Sequence, residues 1–161
     1  MPIMKRLKDL FDEAKISYEV YNHPLAYTAQ EIAARQHLSG DEMAKVVMPK
    51  VDGNLVMAVV TGNRKVDLAT VKANLGAHQV RLATEDEFIA AFPGCEIGAM
   101  PPFGNLFGLS VYVDPSLEKD ECIYFNAGNH VQTVRLRYKH FKKLVQPRIT
   151  TLVGERKRKA A

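Results

Sequence analysis

Gly98-Ala99-Met100-Pro101-Pro102-Phe103-Gly104 carries glycine at both ends and two adjacent prolines near its centre. Proline removes an amide donor and fixes φ, while glycine admits φ > 0, so this run predicts a stiff loop of special shape and excludes helix or central strand. The amides in and just after it, at Gly98, Ala99, Met100, Phe103, Gly104 and Asn105, could converge on an anion or a polarised carbonyl. A Gly/Pro run by itself is most often only a turn. Its neighbours on either side give this one its weight.

Downstream, Leu109-Ser110-Val111-Tyr112-Val113, Cys122-Ile123-Tyr124-Phe125-Asn126 and residues 131–136 read as strands, the last two joined by Ala127-Gly128-Asn129, and together they predict an antiparallel meander. A final helix from Tyr138 to about Val145 stops before Pro147. Upstream, Thr84-Glu85-Asp86-Glu87 is a capping box that opens a short helix. Before it lie a brief strand near 79–82 and a helix capped by Asp67 and closed at Gly76. Residues 45–51 and 55–60 form apolar runs around Asp52-Gly53-Asn54, a hairpin whose apolar residues on both faces make it central. Thr28-Ala29-Gln30-Glu31 is a second capping box with Tyr27 and Ile32 as its staple, residues 17–21 read as a strand, and the chain opens with an amphipathic helix to about Lys15. Hairpins interleaved with single helices define one mixed α+β domain, a mixed or antiparallel sheet with flanking helices, over residues 1–153. Residues 154–161 are expected to be a basic, flexible tail.

The 161 residues, 47% hydrophobic and 25% charged, suit one globular unit. No apolar run reaches the roughly 18–20 residues of a membrane span and no secretory leader is visible, so the expected compartment is the cytoplasm, with no membrane partner. Cys95 and Cys122 lack metal-type spacing and read as packed thiols; no metal and no cofactor are expected. The net charge of +4 hides an asymmetry: from Arg135 onward ten Lys or Arg face a single acid, Glu155. A basic end on an acidic body points to a polyanion such as nucleic acid, through Lys139, Lys142, Lys143, Arg156, Lys157, Arg158 and Lys159.

Among single residues, Lys45 opens a strand that is apolar on both sides, where an unpaired ammonium is costly. His130 follows the Gly128-Asn129 turn at a strand mouth, and Asn126 faces it across that turn. His23, Tyr27 and Thr28 form a polar group beside a proline break. There is no Walker loop, nucleophile elbow or zinc signature.

Taken together, Tyr27-Thr28-Ala29-Gln30-Glu31, Ala44-Lys45, Gly98 through Gly104, and Phe125-Asn126-Ala127-Gly128-Asn129-His130 resemble the YbaK/prolyl-tRNA-synthetase-associated editing domains, in that family's motif order and over nearly the whole chain. The resemblance implies a hydrolase that cleaves the ester of a mischarged tRNA. Lys45 then matches the family's essential lysine, grouped here as catalytic with Gly98 and Gly104 of the loop. Tyr27, Thr28, Val46, Met100, Pro101, Pro102, Phe103, Asn126, Gly128 and His130 become substrate-binding, His130 at the position of a pocket histidine. Such chemistry answers a physical need: a synthetase pocket rejects a substrate one methylene smaller by only about 1–3 kcal/mol, so errors require later hydrolysis.

With no Ser-His-Asp or Cys-His arrangement in the sequence, direct attack by water is expected, with the general base unassigned and Lys45 placed either at the scissile carbonyl or at the terminal adenosine. Ala-tRNA(Pro) is the expected substrate, but Val46 stands where the alanine-specific subgroup has a polar residue, which leaves Ser- or Thr-charged tRNA open. Implied partners are mischarged tRNA and a synthetase or elongation factor; the sequence leaves the oligomeric state open, with a monomer favoured. The alternative is a non-catalytic tRNA-binding module of the same fold.

Overall fold

The computed structural model describes residues 5–22 and 43–154. Along the chain these are helix α1 (Lys5–Glu13), strands β1 (Glu19–Asn22), β2 (Ala44–Val47), β3 (Pro49–Val51), β4 (Asn54–Leu55) and β5 (Met57–Thr61), helix α2 (Leu68–Leu75), β6 (Val80–Leu82), α3 (Glu85–Phe88), β7 (Val111–Val113), β8 (Cys122–Asn126), β9 (Gln132–Arg137), α4 (Tyr138–Val145) and β10 (Arg148–Ile149). Single 3₁₀ segments sit at Ile89–Ala91, Gly104–Phe107 and Pro115–Lys119. The strands form three small sheets, ordered β1-β9-β8, β10-β7-β5-β2 and β4-β3-β6. The expected α+β domain with mixed sheets is what the chain forms.

The local signals act where the sequence places them. The Asp67 carboxylate accepts from the Ala69 and Thr70 amides at the start of α2, and Gly76 closes that helix in the left-handed region at φ +63°. The Thr84–Glu87 capping box opens α3. Asp52 and Gly53 both take positive φ, which is the turn a tight hairpin requires. The capping box at Thr28, with Tyr27, lies outside the described residues.

Two expectations are corrected. The hairpin is not one ribbon: it breaks at Met48 and Val56, so its base, β2 against β5, belongs to the four-stranded sheet, while its tip, β3 against β4, joins β6. Met48 makes the handover, its carbonyl accepting from Ala83 at 2.8 Å. β5 is buried throughout and central, but β2 is an edge strand with three half-buried residues. Nor is there a three-strand meander. β8 and β9 do pair antiparallel, but β7 leaves them to lie parallel to β5 and β10. Alternation along a strand fixes which face is buried and says nothing about which partner is chosen.

β5 divides the interior. Met57 and Val59 face a main core with Leu7, Phe11, Phe103, Phe125 and Phe141, while Ala58 and Val60 face a smaller one with Val71, Leu152 and Val153. This period-2 alternation on a doubly covered strand joins both layers to one element.

Candidate active site

The Gly/Pro loop is held by its neighbours. Beside it, the 126–130 turn is zipped to the loop's root: Glu96 N donates to Gly128 O at 2.8 Å, Gly128 N to Ala99 O at 3.0 Å, and Ala99 N to Glu96 O at 3.0 Å. Asn126 Nδ2 reaches Gly98 O at 3.5 Å, and its buried Oδ1 has no hydrogen-bond partner among the described residues. A buried amide oxygen without a partner is costly in a finished core and is suited to a ligand donor.

His130 is 5% exposed. Its ring Nε2 lies 2.8 Å from Ile97 O, so Nε2 carries the proton and donates, and its backbone N donates to Glu96 Oε2 at 3.1 Å. Asn129 Nδ2 donates to Gln132 Oε1 and Gln132 Nε2 to Asn22 Oδ1, which fixes the turn to β1.

Gly98 takes φ +83°, and a Cβ there would stand 3.5 Å from His130 Cε1, so the loop lies directly against the histidine ring. Its amide points to the Met100 sulfur at 3.3 Å. The amides of Gly98 and Ala99 are therefore spent inside the loop and leave the set of six donors expected to face an oxyanion. Met100, Pro101 and Pro102 are buried. Phe103 and Gly104 lie on the core side of the loop. The Phe103 ring is fully buried against Phe11, Phe125 and Phe141 at centroid distances of 5.4–5.5 Å, and a Cβ on Gly104 would stand 2.8 Å from Val111 Cγ2 and 3.3 Å from Met57 Sδ. Both shape the loop from the core side.

Lys45 lies on β2. Met43 bridges Tyr124 in parallel, and two residues further along each chain come Lys45 and Asn126, so lysine and loop-holding asparagine travel toward the same end. The Lys45 side chain is half-buried and its Nζ donates to Arg64 O at 2.6 Å. Burial first, and the Lys65 ammonium second, pull its pKa below the ordinary lysine value. Val46 packs half-buried against the main core.

The expected RNA-binding lysines Lys139, Lys142 and Lys143 stand on α4, away from these contacts. Lys142 lies 4.0 Å from Glu118, and the pKa of His140 is lowered by burial and then by Lys139, Arg137 and Lys143, which marks a locally positive face. Arg156, Lys157, Arg158 and Lys159 lie outside the described residues, as do Tyr27 and Thr28. Gly154, expected to begin the tail, is still tied to the body, its carbonyl accepting from Arg64 Nη2 at 2.6 Å. Among the described residues no group of three His, Cys, Asp or Glu could hold a metal. Sequence reasoning missed Glu96 and Arg64. Glu96 acts through backbone and carboxylate together at the loop's root, and an acid beside a Gly/Pro run was the one signal available. Arg64 meets Lys45 through a main-chain carbonyl, for which a sequence carries no signal.

A left-handed glycine loop against a proton-donating histidine, with a half-buried ammonium on a strand bridged to the one that carries Asn126, is equipment suited to an anionic or carbonyl-bearing substrate. The profile of the aminoacyl-tRNA editing domain matches residues 23–144, and the chain belongs to that family. The Escherichia coli K12 multifunctional Ser/Thr-tRNA deacylase ProXp-y is 27% identical over 150 residues, covering 90% of this chain and 89% of its own. A proline–tRNA ligase of Nitratidesulfovibrio vulgaris is 35% identical over 98 residues, 60% of this chain but 17% of the ligase. In fold, the chain superposes on a protein crystallised as a candidate trans-editing enzyme for prolyl-tRNA synthetase with a TM-score of 0.80, at 21% identity, over 94% of this chain and 96% of that one. On hypothetical protein APE2540 it superposes with a TM-score of 0.82, at 16% identity, over 93% and 100%.

Proposed function

We propose that this protein is a trans-editing hydrolase of the cytoplasm that cleaves the ester between an incorrect amino acid and its tRNA. The observation that carries this reading is the Lys45 ammonium, half-buried and held by a neutral carbonyl at 2.6 Å, in a chain of the editing family. A carbonyl dipole holds the ammonium without neutralising it, so its charge stays available to a phosphate or a developing oxyanion. Water attacks the ester carbonyl directly; the C–O bond to the ribose breaks, and the ribose oxygen takes up a proton as the free amino acid leaves.

Lys45 and the Gly98–Met100 stretch face the reacting end, while His130, Asn126 and Gly128 form the wall that meets the amino-acid side chain. The Ser/Thr activity named for the Escherichia coli relative, together with the apolar Val46, favours serine or threonine over alanine as the group removed. Lys139, Lys142 and Lys143 steer the tRNA backbone, and a synthetase or elongation factor hands the tRNA over.

The test is a panel of Ala-, Ser- and Thr-charged tRNAs incubated with wild type and with Lys45→Ala. Wild type should release serine or threonine fastest, and Lys45→Ala should stay folded and release none. A wild type that binds these tRNAs without releasing any amino acid would make the protein a binding module instead.

A further inference from the structure

The Arg64 carbonyl that receives Lys45 belongs to a turn fixed from several sides. Gly62 N donates to Met43 O at 2.8 Å, Arg64 N to Thr61 O at 3.1 Å, and Thr61 Oγ1 to Asn63 Oδ1 at 3.0 Å. Thr61 itself is 1% exposed, so the turn is rooted in the end of central strand β5. The Arg64 side chain leaves this turn toward the C-terminal segment, where Nη2 donates to Gly154 O at 2.6 Å.

That segment is held in turn: Asp67 N donates to Leu152 O at 2.9 Å, Val66 bridges Val153, and the buried Asp114 carboxylate accepts from Leu152 N at 2.8 Å. A Cβ at position 154 would stand 2.8 Å from Asp67 Oδ2, so a side chain there must displace that carboxylate, whose partner oxygen caps α2. One residue thus touches both the ammonium at the site and the last described residue of the chain.

We propose that Arg64 is the positioning residue of Lys45. Its main-chain carbonyl sets where the ammonium stands, and its guanidinium, clamped on Gly154, sets where that carbonyl stands. Arg64 meets no reacting atom; it acts by holding the lysine in one place, half-covered from water. This rests on the assignment of Lys45 to the substrate. The clamp also makes the glycine at 154 a working part of the site, because any displacement of its carbonyl is passed through Arg64 to the lysine.

The experiment compares wild type, Arg64→Ala, Arg64→Lys and Gly154→Ala in the full chain, by thermal melting, by kcat and KM on the best mischarged tRNA, and by the protonation of Lys45. The last is read from trace acylation across pH, with the Lys45 peptide quantified by mass spectrometry, and needs no substrate. Arg64→Ala should lower kcat by up to about 100-fold, the effect of a 1 Å misplacement at a reacting centre, with KM little changed. Lys45 should titrate higher in that variant, because water replaces the cover that now lowers its pKa. Arg64→Lys, with one donor in place of the fork, should recover part of both, and Gly154→Ala should move both in the direction of Arg64→Ala without altering Arg64.

Unchanged kcat with unchanged Lys45 titration in Arg64→Ala and Gly154→Ala would overturn the assignment. So would a fall in kcat that leaves the titration in place, or one that only tracks melting temperature. Should Lys45→Ala keep wild-type activity, the proposed function fails by itself, and the Lys45 titration still decides whether Arg64 positions the lysine.

Discussion

Gly98 and Gly104 close the same loop, and the structure gives them different reasons to be glycine. At Gly98 the constraint is the backbone, at φ +83°. A side chain there costs about 1–2 kcal/mol of backbone strain and shifts the loop that lies against the histidine, so Gly98→Ala should lose deacylation at a temperature where the protein remains folded. At Gly104 the constraint is the core, where a Cβ would overlap Val111 and Met57, and Gly104→Val should lower stability by about 1–3 kcal/mol, seen as a falling melting temperature. Sequence alone expected both to act on activity; it could read the need for glycine but not which neighbour imposes it.

His130→Ala should change which amino acid is removed more than the rate on the best one. A uniform loss over all charged tRNAs would make it a general catalytic group instead. Lys45 draws notice in the sequence because an ammonium at the mouth of an apolar strand is costly unless paired, whereas its contact with Arg64 uses a backbone carbonyl that every residue owns.

Among the elements, those set by local chemistry were legible. α2 with its Asp67 and Gly76 caps, α3 with its capping box, and the Asp52-Gly53 turn all fall where the residues demand them. Pairing across the chain was not, because β5 finds its parallel partner β7 some fifty residues on, a choice made by the fit of the whole core.

The contact that ties β3, β6 and α3 together gives a test of its own. Glu87 takes two bonds of 2.7 Å from Arg81, one of 2.7 Å from Lys50, and one of 2.9 Å from the Thr84 amide. The Arg81 bonds first, then Lys50 and the Thr84 amide, hold its carboxyl well below the usual carboxylate range. A depressed folded-state pKa contributes stability that is present above the unfolded value and lost as pH falls through the folded one. Wild type should therefore melt above Glu87→Gln at neutral pH, and the gap should narrow as the pH drops below the ordinary carboxylate value. A gap that is constant with pH would mean that shape at that position matters and charge does not.

At the scale of the whole molecule, the charge asymmetry asks whether RNA is met by the body, the tail, or both. Because Gly154 belongs to the Arg64 clamp, the informative truncation removes 155–161 and keeps Gly154. Each single-strand phosphate neutralised contributes about −0.7 to the log–log salt slope of binding. The truncated protein should show a raised KM for full-length tRNA and a flatter salt dependence, with cleavage of a short aminoacylated acceptor mimic nearly unchanged. Coincident salt curves for the two forms would leave RNA recognition to the body, where Lys139, Lys142 and Lys143 stand on α4.

The burial of Phe103 reaches further than its place in the loop. Its ring is shared with Phe11 of α1, Phe125 of β8 and Phe141 of α4, so the Gly/Pro loop is fastened into the innermost packing of the protein. Freeing the loop at Phe103 therefore means opening the core that this ring helps to fill. In a cell warmed toward the limit of this protein, proofreading would not fade by degrees as a loosened loop began to admit the wrong esters. It would hold its accuracy and then vanish together with the folded protein.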